Sequence, residues 1–397
     1  MPDKPIYAVG LDAGSTKTRM VVCALEERLR LLGCAEVESR GWSKGSIADQ
    51  RAVGESVLAA LEEAELSAGV SLESAVVGMG GPSVRSGSGR GVVELGYPRE
   101  IQRRDINRVR DRAARVQLQE DRMVLQLFPQ DFVLDDHPGH RDPLGTAAAR
   151  LELNVHLVTA SVREHSALVG AVNQAHLVVE DTVFEAQAAW YAAVQPEERR
   201  DGVALVDIGA DSTSLVVYYD EVMCLASGVR VSGCHFSSDL ARGLCVGPVE
   251  AERVKSEYGS ANAKESLENM CVELPVPEGQ KPRQAPKRHV DLILESRARE
   301  LFQLVRGELA RVGMEQSLLG GVFLSGGGAK LAEILEVAAD ELGCQSRFGI
   351  AVGIDDWPAM MDDPEWCTAA GLAMYSAKLK EQTERQRAAV GWLSRIL

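Results

Sequence analysis

Two short segments hold the residues best suited to chemistry. Asp12-Ala13-Gly14-Ser15-Thr16-Lys17-Thr18 and Asp207-Ile208-Gly209-Ala210-Asp211-Ser212-Thr213 share one plan: an apolar run ends in a carboxylate, and a polar bend around a glycine leads to a threonine and a second apolar run. Gly14 and Gly209 permit tight reversal of the backbone. The N–H groups and hydroxyls of such bends (Ser15, Thr16, Thr18, Ser212, Thr213) can clamp a polyphosphate from two sides, while Asp12 and Asp207 hold a hydrated Mg2+. Lys17 adds a point charge for phosphate. One Asp-x-Gly bend alone is ordinary hairpin chemistry. Two in matching context, followed by Ser325-Gly326-Gly327-Gly328-Ala329-Lys330 after the apolar run 321–324, are not. A strand, a glycine turn and then a helix let backbone N–H groups approach a nucleotide closely. The chain contains no GxxxxGK[ST] and no GxGxxG between a first strand and helix, so the P-loop and dinucleotide classes are unsupported.

The elements that must position these bends repeat along the chain. Tyr7 to Val22 aligns with Gly202 to Val217 on Asp12 and Asp207, which implies two related halves. Between them the spacing predicts a helix over 46–68 and a buried strand over 74–79. The Gly- and Ser-rich run 80–91 then marks entry into an inserted unit, with a charged helix over 104–116 and strands over 124–133 and 151–159. A helix over 161–176 returns to the main body. Downstream, 237–255 reads as mostly helical, 274–288 with four prolines as an exposed loop, and 290–312 as a long helix.

The chain has 397 residues, enough for two lobes, with 45% apolar and 25% charged residues, as in a folded globular protein. Its net charge of −15 argues against a nucleic-acid partner, because phosphate-backbone binding needs concentrated Lys and Arg. The eight cysteines are scattered without CxxC spacing, so reduced thiols in a cytosolic setting are expected. The N-terminal residues lack the pattern of a signal peptide, and no run reaches the roughly 18 apolar residues a membrane span needs. Any membrane contact is therefore expected to be peripheral.

The three glycine-bearing turns occur in the order typical of the actin, Hsp70 and sugar-kinase superfamily, and the chain resembles that superfamily. The resemblance implies a two-lobed, ribonuclease H-like α/β fold binding ATP and Mg2+. It also implies that Glu252 and Lys255, in VEAERVKSEYGSA, and the turn Gly326, Gly327, Gly328, Ala329 and Lys330 serve the adenosine. Glu185 in VFEAQAAWY falls at the superfamily's water-orienting position and is a weak candidate base. Within the superfamily, SRGWSKG (39–45), LQLFPQDF (125–132), DPLG (142–145) and VHLVTA (155–160) resemble the FtsA family, whose members carry an inserted subdomain here. That likeness covers nearly the whole chain and implies the following division. Residues 1–83 and 161–200 form subdomain 1A, 84–160 the insert 1C, 201–236 and 313–377 subdomain 2A, and 237–312 subdomain 2B. Residues 378–397 form a terminal amphipathic helix.

The family resemblance further implies self-association into filaments, contacts with other division proteins, and recognition of the acidic tail of FtsZ by a surface including Arg288 and Arg297. The terminal run RQRAAVGWLSRIL supports membrane contact independently. Val390, Trp392, Leu393, Ile396 and Leu397 can form one apolar face, with Arg385, Arg387 and Arg395 standing off it toward anionic lipid. The second bend departs from the family pattern, since Ala210 and Asp211 stand where further glycines are usual and an added carboxylate would repel phosphate. A PilM-like pilus adaptor, or a small-molecule kinase using Asp211, are the alternative readings of the same superfold.

Overall fold

The computed structural model describes residues 6–115, 118–266, 269–274 and 283–393, without the side chains of 265 and 385–393. Two five-stranded sheets share one topology. In the first, Ile6–Ala13, Lys17–Leu25 and Leu29–Glu38 form an antiparallel meander; Ser74–Met79 and then Val178–Phe184 extend it in parallel beyond Ile6–Ala13. In the second, Val203–Ile208, Thr213–Tyr219 and Val222–Val229 form the meander, and Gly321–Ser325 and Ser346–Phe348 the parallel extension. The fully buried runs Met20–Cys23 and Val203–Val206 read as apolar on both faces because helices cover both sides of each sheet. The sequence repeat is thus a structural one, and it puts Asp12 opposite Arg19 and Asp207 opposite Ser214 at equivalent hairpin ends.

Two helices lie between the sheets, Glu185–Ala193 and Cys367–Leu393. Their facing surfaces are built from alanines (186, 188, 189, 192, 193; 369, 370, 373, 377), which lets helix and sheet backbones approach closely. Two glycines are obligatory there. A Cβ at Gly371 would lie 1.8 Å from the Ala188 carbonyl oxygen, and one at Gly10 2.3 Å from that of Ala369. Trp190 stacks on Tyr218 at 3.9 Å beside this contact, so the core runs continuously from one lobe to the other.

The insert is a four-stranded antiparallel sheet, Arg85–Glu100, Ala147–Ser161, Arg122–Leu134 and His137–His140 in spatial order, with helix Arg103–Ala114 on one face. Alternation along Ala147–Ser161 sends Leu151, Leu153, Val155 and Leu157 toward Val109 and Ala113. The helix start is fixed by the buried Asp105, which accepts from the Gln102 N–H at 3.1 Å and from Arg99 at 2.8 Å. The Arg99 hydrogen bond, aided by the Gln102 N–H and the charges of Arg99 and Arg104, holds the Asp105 carboxyl down at about 2 against its burial.

The Gly- and Ser-rich run leads into the insert, its residues from Arg85 on belonging to the long strand Arg85–Glu100. Three readings of the sequence are corrected. The expected helix over 237–255 is two, Gly233–Leu244 and Pro248–Tyr258, broken around Cys245 in a left-handed conformation (φ 51°) and Gly247-Pro248. The expected loop 274–288 includes strand Arg283–Pro286, paired with Cys271–Leu274, and the long helix begins at Lys287; residues 275–282 lie outside the described ones. After the glycine turn comes a 3-10 turn, Gly327–Lys330, and the helix starts only at Ile334.

Candidate functional site

Both hairpin bends open onto one cleft between the lobes, with a volume of about 1020 Å³. Each bend is tight for the same reason. A Cβ at Gly14 would come within 2.8 Å of the Lys17 carbonyl, and one at Gly209 within 2.9 Å of that of Ser212. The first bend is tied to the meander by Ser39 N–H donating to Thr16 O (2.9 Å), the second to the start of Gly233–Leu244 by Gly233 and Cys234 N–H donating to Gly209 and Ala210 (2.9 and 2.8 Å).

Gly14, Ser15, Thr16, Lys17, Gly209, Ala210, Asp211 and Ser212 all line the cleft. Thr18 and Thr213 do not: both are buried, Thr18 sharing a 2.7 Å hydrogen bond with Ser39. A residue closing a hairpin points alternately in and out of the sheet, and the bend ends one position too early for these threonines to face solvent. Lys17 faces the cleft but pairs with Glu36 at 3.3 Å.

Asp211 answers the objection raised by its type. Its carboxylate turns across the cleft and accepts from the Gly45 N–H of the other lobe at 3.0 Å. Gly45 sits in a left-handed turn (φ 74°) after Lys44, also left-handed (φ 51°), between the short strands Trp42–Ser43 and Ser46–Ile47.

At the floor lie Asp12, Asp207 and Glu185. Desolvation deep in the cleft pushes the Asp12 carboxyl up to about 7; Arg19 opposes that rise and Asp207 adds to it. Glu185 is held well above the usual carboxylate range, first by desolvation and then by Asp12 and Asp207. Asp207 is raised by desolvation, against the Ser325 hydroxyl it accepts from at 2.8 Å and against Arg19. Glu185 fits because Gly80 faces it: a Cβ there would overlap the carboxylate. A carboxyl held so high is a poor base until something positive enters. The one cation acting on Asp12 and Asp207 is Arg19, which is itself engaged by Glu36 and Glu365. Among the described residues no group of three His, Cys, Asp or Glu is placed to hold a metal ion directly.

The other wall is formed by Gly326, Gly327, Gly328 and Lys330 with Glu252 and Lys255; Ala329 is buried behind it. Gly326 has φ 80°, and a Cβ on Gly328 would strike Ile208 at 2.3 Å, so the turn lies flat against the second bend. Lys255 is not a solvated helix lysine: it pairs with Glu252 (2.8 Å) and reaches Ser237 Oγ (3.0 Å).

Arg19 and Glu365 escaped the sequence reading. Arg19 stands opposite Asp12 and holds Glu36 at 2.7 Å and Glu365 at 2.5 Å, and Glu365 lies 3.7 Å from Lys330, itself paired with Asp363 at 2.8 Å. The signal was present, since a cation two residues past Lys17 on a buried strand needs partners.

Arg288 and Arg297 lie away from the cleft. Arg288 is exposed and lines a shallow groove with Pro286, His289, Leu292, Ile293 and Ser296. Arg297, by contrast, is held by Asp239 at 2.6 Å and by Glu300, so its charge is spent within the protein. Helix Cys367–Leu393 carries Arg385, Arg387, Val390, Trp392 and Leu393 on its described backbone, their side chains being outside the description; Arg395, Ile396 and Leu397 lie outside the described residues. No helix among the described residues is long and apolar enough to cross a membrane.

Known proteins resemble the chain both in sequence and in fold. Residues 204–371 match the family model described as cell division protein FtsA, and residues 81–159 that of the SHS2 domain inserted in FtsA. The chain is 31% identical over 378 residues to cell division protein FtsA of Pseudomonas aeruginosa, covering 95% of this chain and 90% of that one. Among solved structures it is similar to the PilM–PilN type IV pilus biogenesis complex (TM-score 0.67, 19% identity, 93% and 98% covered). It is also similar to MreB5 of Spiroplasma citri bound to ADP (TM-score 0.58, 15% identity, 95% and 98% covered).

Proposed function

The chain belongs to the FtsA family of cell division proteins, and from that premise we propose that it binds ATP with Mg2+, self-associates, and tethers FtsZ to the cytoplasmic face of the membrane. The observation that carries the nucleotide part is the pairing of two equivalent bends over a floor of three protonation-prone carboxyls. The amides of the bends at Gly14 and Gly209 bind anionic oxygens from the two lobes. Asp12 and Asp207 would hold the hydrated cation, Asp12 in its ionised form. The glycine turn, with Glu252 and Lys255, leaves room on the adenosine side. When bound, Mg-ATP supplies the charge that both lobes share, favouring the closed state. Glu185 beside the floor is the group that orients water, and its raised pKa is consistent with a slow ATPase at most.

The groove at Arg288 is the proposed seat of the FtsZ tail. Leu292 and Ile293 offer apolar contact, and Arg288 and His289 offer charge to an acidic peptide. Because Arg297 is already engaged by Asp239 and Glu300, it offers little charge to the peptide. The helix that begins at Cys367 runs to Leu393, so the basic run starting at Arg385 follows the central helix without an intervening loop. The fold-level likeness to the PilM complex shows the fold alone. FtsZ co-flotation with liposomes tests the tether. The full chain with Mg-ATP should carry FtsZ into the lipid fraction, and a chain ending at residue 384 should leave it at the bottom. Undiminished flotation after truncation would overturn the anchoring claim.

A further inference from the structure

The insert is rooted in one lobe and fastened to the other. Its covalent root is in the first lobe, where Arg122 donates to the carbonyls of Ser83 (2.9 Å) and Thr159 (2.8 Å) and the Val162 N–H donates to the Asp121 carbonyl at 2.9 Å. Its long strand Arg122–Leu134 nevertheless lies against strand Val222–Val229, the edge of the second lobe's sheet. Leu125 and Phe128 pack on the core cluster that holds Met223 and Ala226, and Gln130 Nε2 donates to the Met223 carbonyl at 3.4 Å. Further out, Arg141 donates to the Asp220 carbonyl (3.2 Å) and pairs with the Asp220 carboxylate. None of these contacts is needed to hold the insert on the lobe that carries it.

Asp220 and Glu221 form the two-residue turn between strands Thr213–Tyr219 and Val222–Val229, and both are left-handed (φ 51° and 66°). That geometry favours Asn-Gly or Asp-Gly, so a glutamate in it is strained and must be held from outside. Glu221 pairs with Arg200 at 3.0 Å and its N–H donates to the Arg199 carbonyl (3.0 Å), both on its own lobe, which leaves Asp220 to face the insert. The other end of the same hairpin is the nucleotide bend. Thr213 follows directly on Ser212, and four residues beyond Val229 lies Gly233, whose N–H donates to Gly209 at 2.9 Å. The seven residues of Thr213–Tyr219, spanning roughly 20 Å, therefore join the phosphate-facing bend to the insert contact.

We propose that Arg141 of the insert and Asp220 of the second lobe form a latch made when the lobes close, so that nucleotide in the cleft sets the angle of the insert and the setting of the insert alters nucleotide affinity. The inference rests on the nucleotide binding proposed above and adds a route from the cleft to the insert. The latch and the hydrogen bond from the Gly45 N–H to Asp211 lie at opposite ends of the hairpin, and both join the lobes in the same state. A swing that opens the cleft must pull Asp220 away from Arg141 or carry the insert with it. The root offers the hinge for the second course, since the chain enters the insert through Gly80 and Gly81, the latter with φ 94°. Coupling through such a contact is reciprocal, because a ligand that favours the closed state favours the latch and the latch favours the ligand. Its size is modest, because both side chains of the pair are more than half exposed.

Calorimetric titration of Mg-ATP into the full chain tests this with a double-mutant cycle at two residues outside the cleft. Arg141→Gln and Asp220→Asn, the latter retaining a residue that tolerates the left-handed turn, should each weaken binding about two- to fivefold, and the two together no more than either alone. Ligand-free melting close to the parent's shows that the fold is intact in each. In the parent, amide exchange over 137–145 and 219–223 should slow when Mg-ATP is added, and in either variant the slowing over 137–145 should be reduced. Parent-like affinity in both variants, or losses that add in the double variant, overturns the latch. A parent that binds no Mg-ATP overturns the nucleotide reading itself, whereas a parent that binds it while exchange in the insert stays unchanged overturns only the coupling.

Discussion

Replacing Asp12 by Asn separates the stability of the cleft from its chemistry. In the folded chain the Asp12 carboxyl is pushed from 3.8 up to about 7. A raised folded value means that the native state keeps a proton the unfolded chain has released, so this group's contribution to stability falls as pH rises from about 4 to about 7. Integrated over that window the loss is about 4 kcal/mol, and about 2.5 kcal/mol of it falls between about pH 5 and about pH 8. Asn keeps the shape and does not titrate. Ligand-free, the Asn variant should therefore gain on the parent by about 2.5 kcal/mol on going from about pH 5 to about pH 8, a widening of roughly 3 °C in melting midpoint. With saturating Mg-ATP the order should reverse at the higher pH, because ionised Asp12 then holds the cation and ligand stabilisation follows its affinity. Paired melting curves of parent and variant at the two pH values, with and without Mg-ATP, decide it. A constant gap across pH in the ligand-free protein would refute the reasoning, because it would mean that Asp12 ionises freely and that the floor is not the unsatisfied acidic site described above.

Three further outcomes follow from single contacts. Gly371→Ala places a methyl 1.8 Å from the Ala188 carbonyl, which neither helix can relieve without parting from the other, so melting should fall by about 1–3 kcal/mol or more; an unchanged midpoint would show that the central helices do not cross there. Asp211→Ala removes a charge-assisted hydrogen bond between lobes, worth about 1.5–3 kcal/mol of closed-state preference, so labelled nucleotide should dissociate roughly ten- to hundredfold faster in stopped flow. Release at the parent's rate would show that the bond does not hold the cleft. Arg288→Glu should weaken binding of an FtsZ tail peptide, most of all at low salt, whereas Arg297→Gln should change it little because Asp239 and Glu300 already neutralise that side chain. Fluorescence anisotropy over a salt series distinguishes the two, and equal losses would disprove the assignment.

The parts of this molecule that could be read from the sequence are those governed by local rules. The two bends announce themselves because an apolar strand, an acid and a glycine must occur in that order for a tight hairpin end, and the duplication makes each a check on the other. The glycine turn is legible for the same reason. What could not be read depends on contacts distant in sequence. Thr213 belongs to the same motif as Ser212, yet one residue of strand alternation buries it. Arg297 looks like a free cation until helix Gly233–Leu244 brings Asp239 against it. Asp211 looks repulsive to phosphate until Gly45, 166 positions away, offers an amide in a turn whose left-handed backbone a sequence does not display.

Arg19 shows why the cleft floor and the glycine turn act as one unit. It lies on the strand paired with that of Asp12, and it restrains the rise in both Asp12 and Asp207. Its other end is fixed by Glu365, on the short turn that leads into the central helix, and Glu365 also stands beside Lys330 and in contact range of Gly327. Moving either lobe relative to the other must therefore stretch a buried ion pair or shift the helix that both sheets share. Breaking such a pair strands a desolvated charge, whereas rotating the whole unit does not. A rigid swing about the central helix pair would cost less, and it would change the separation of the two bends. A change at the nucleotide would thus reach the base of helix Cys367–Leu393 through Glu365, which gives the terminal helix a mechanical connection to the cleft without any loop between them.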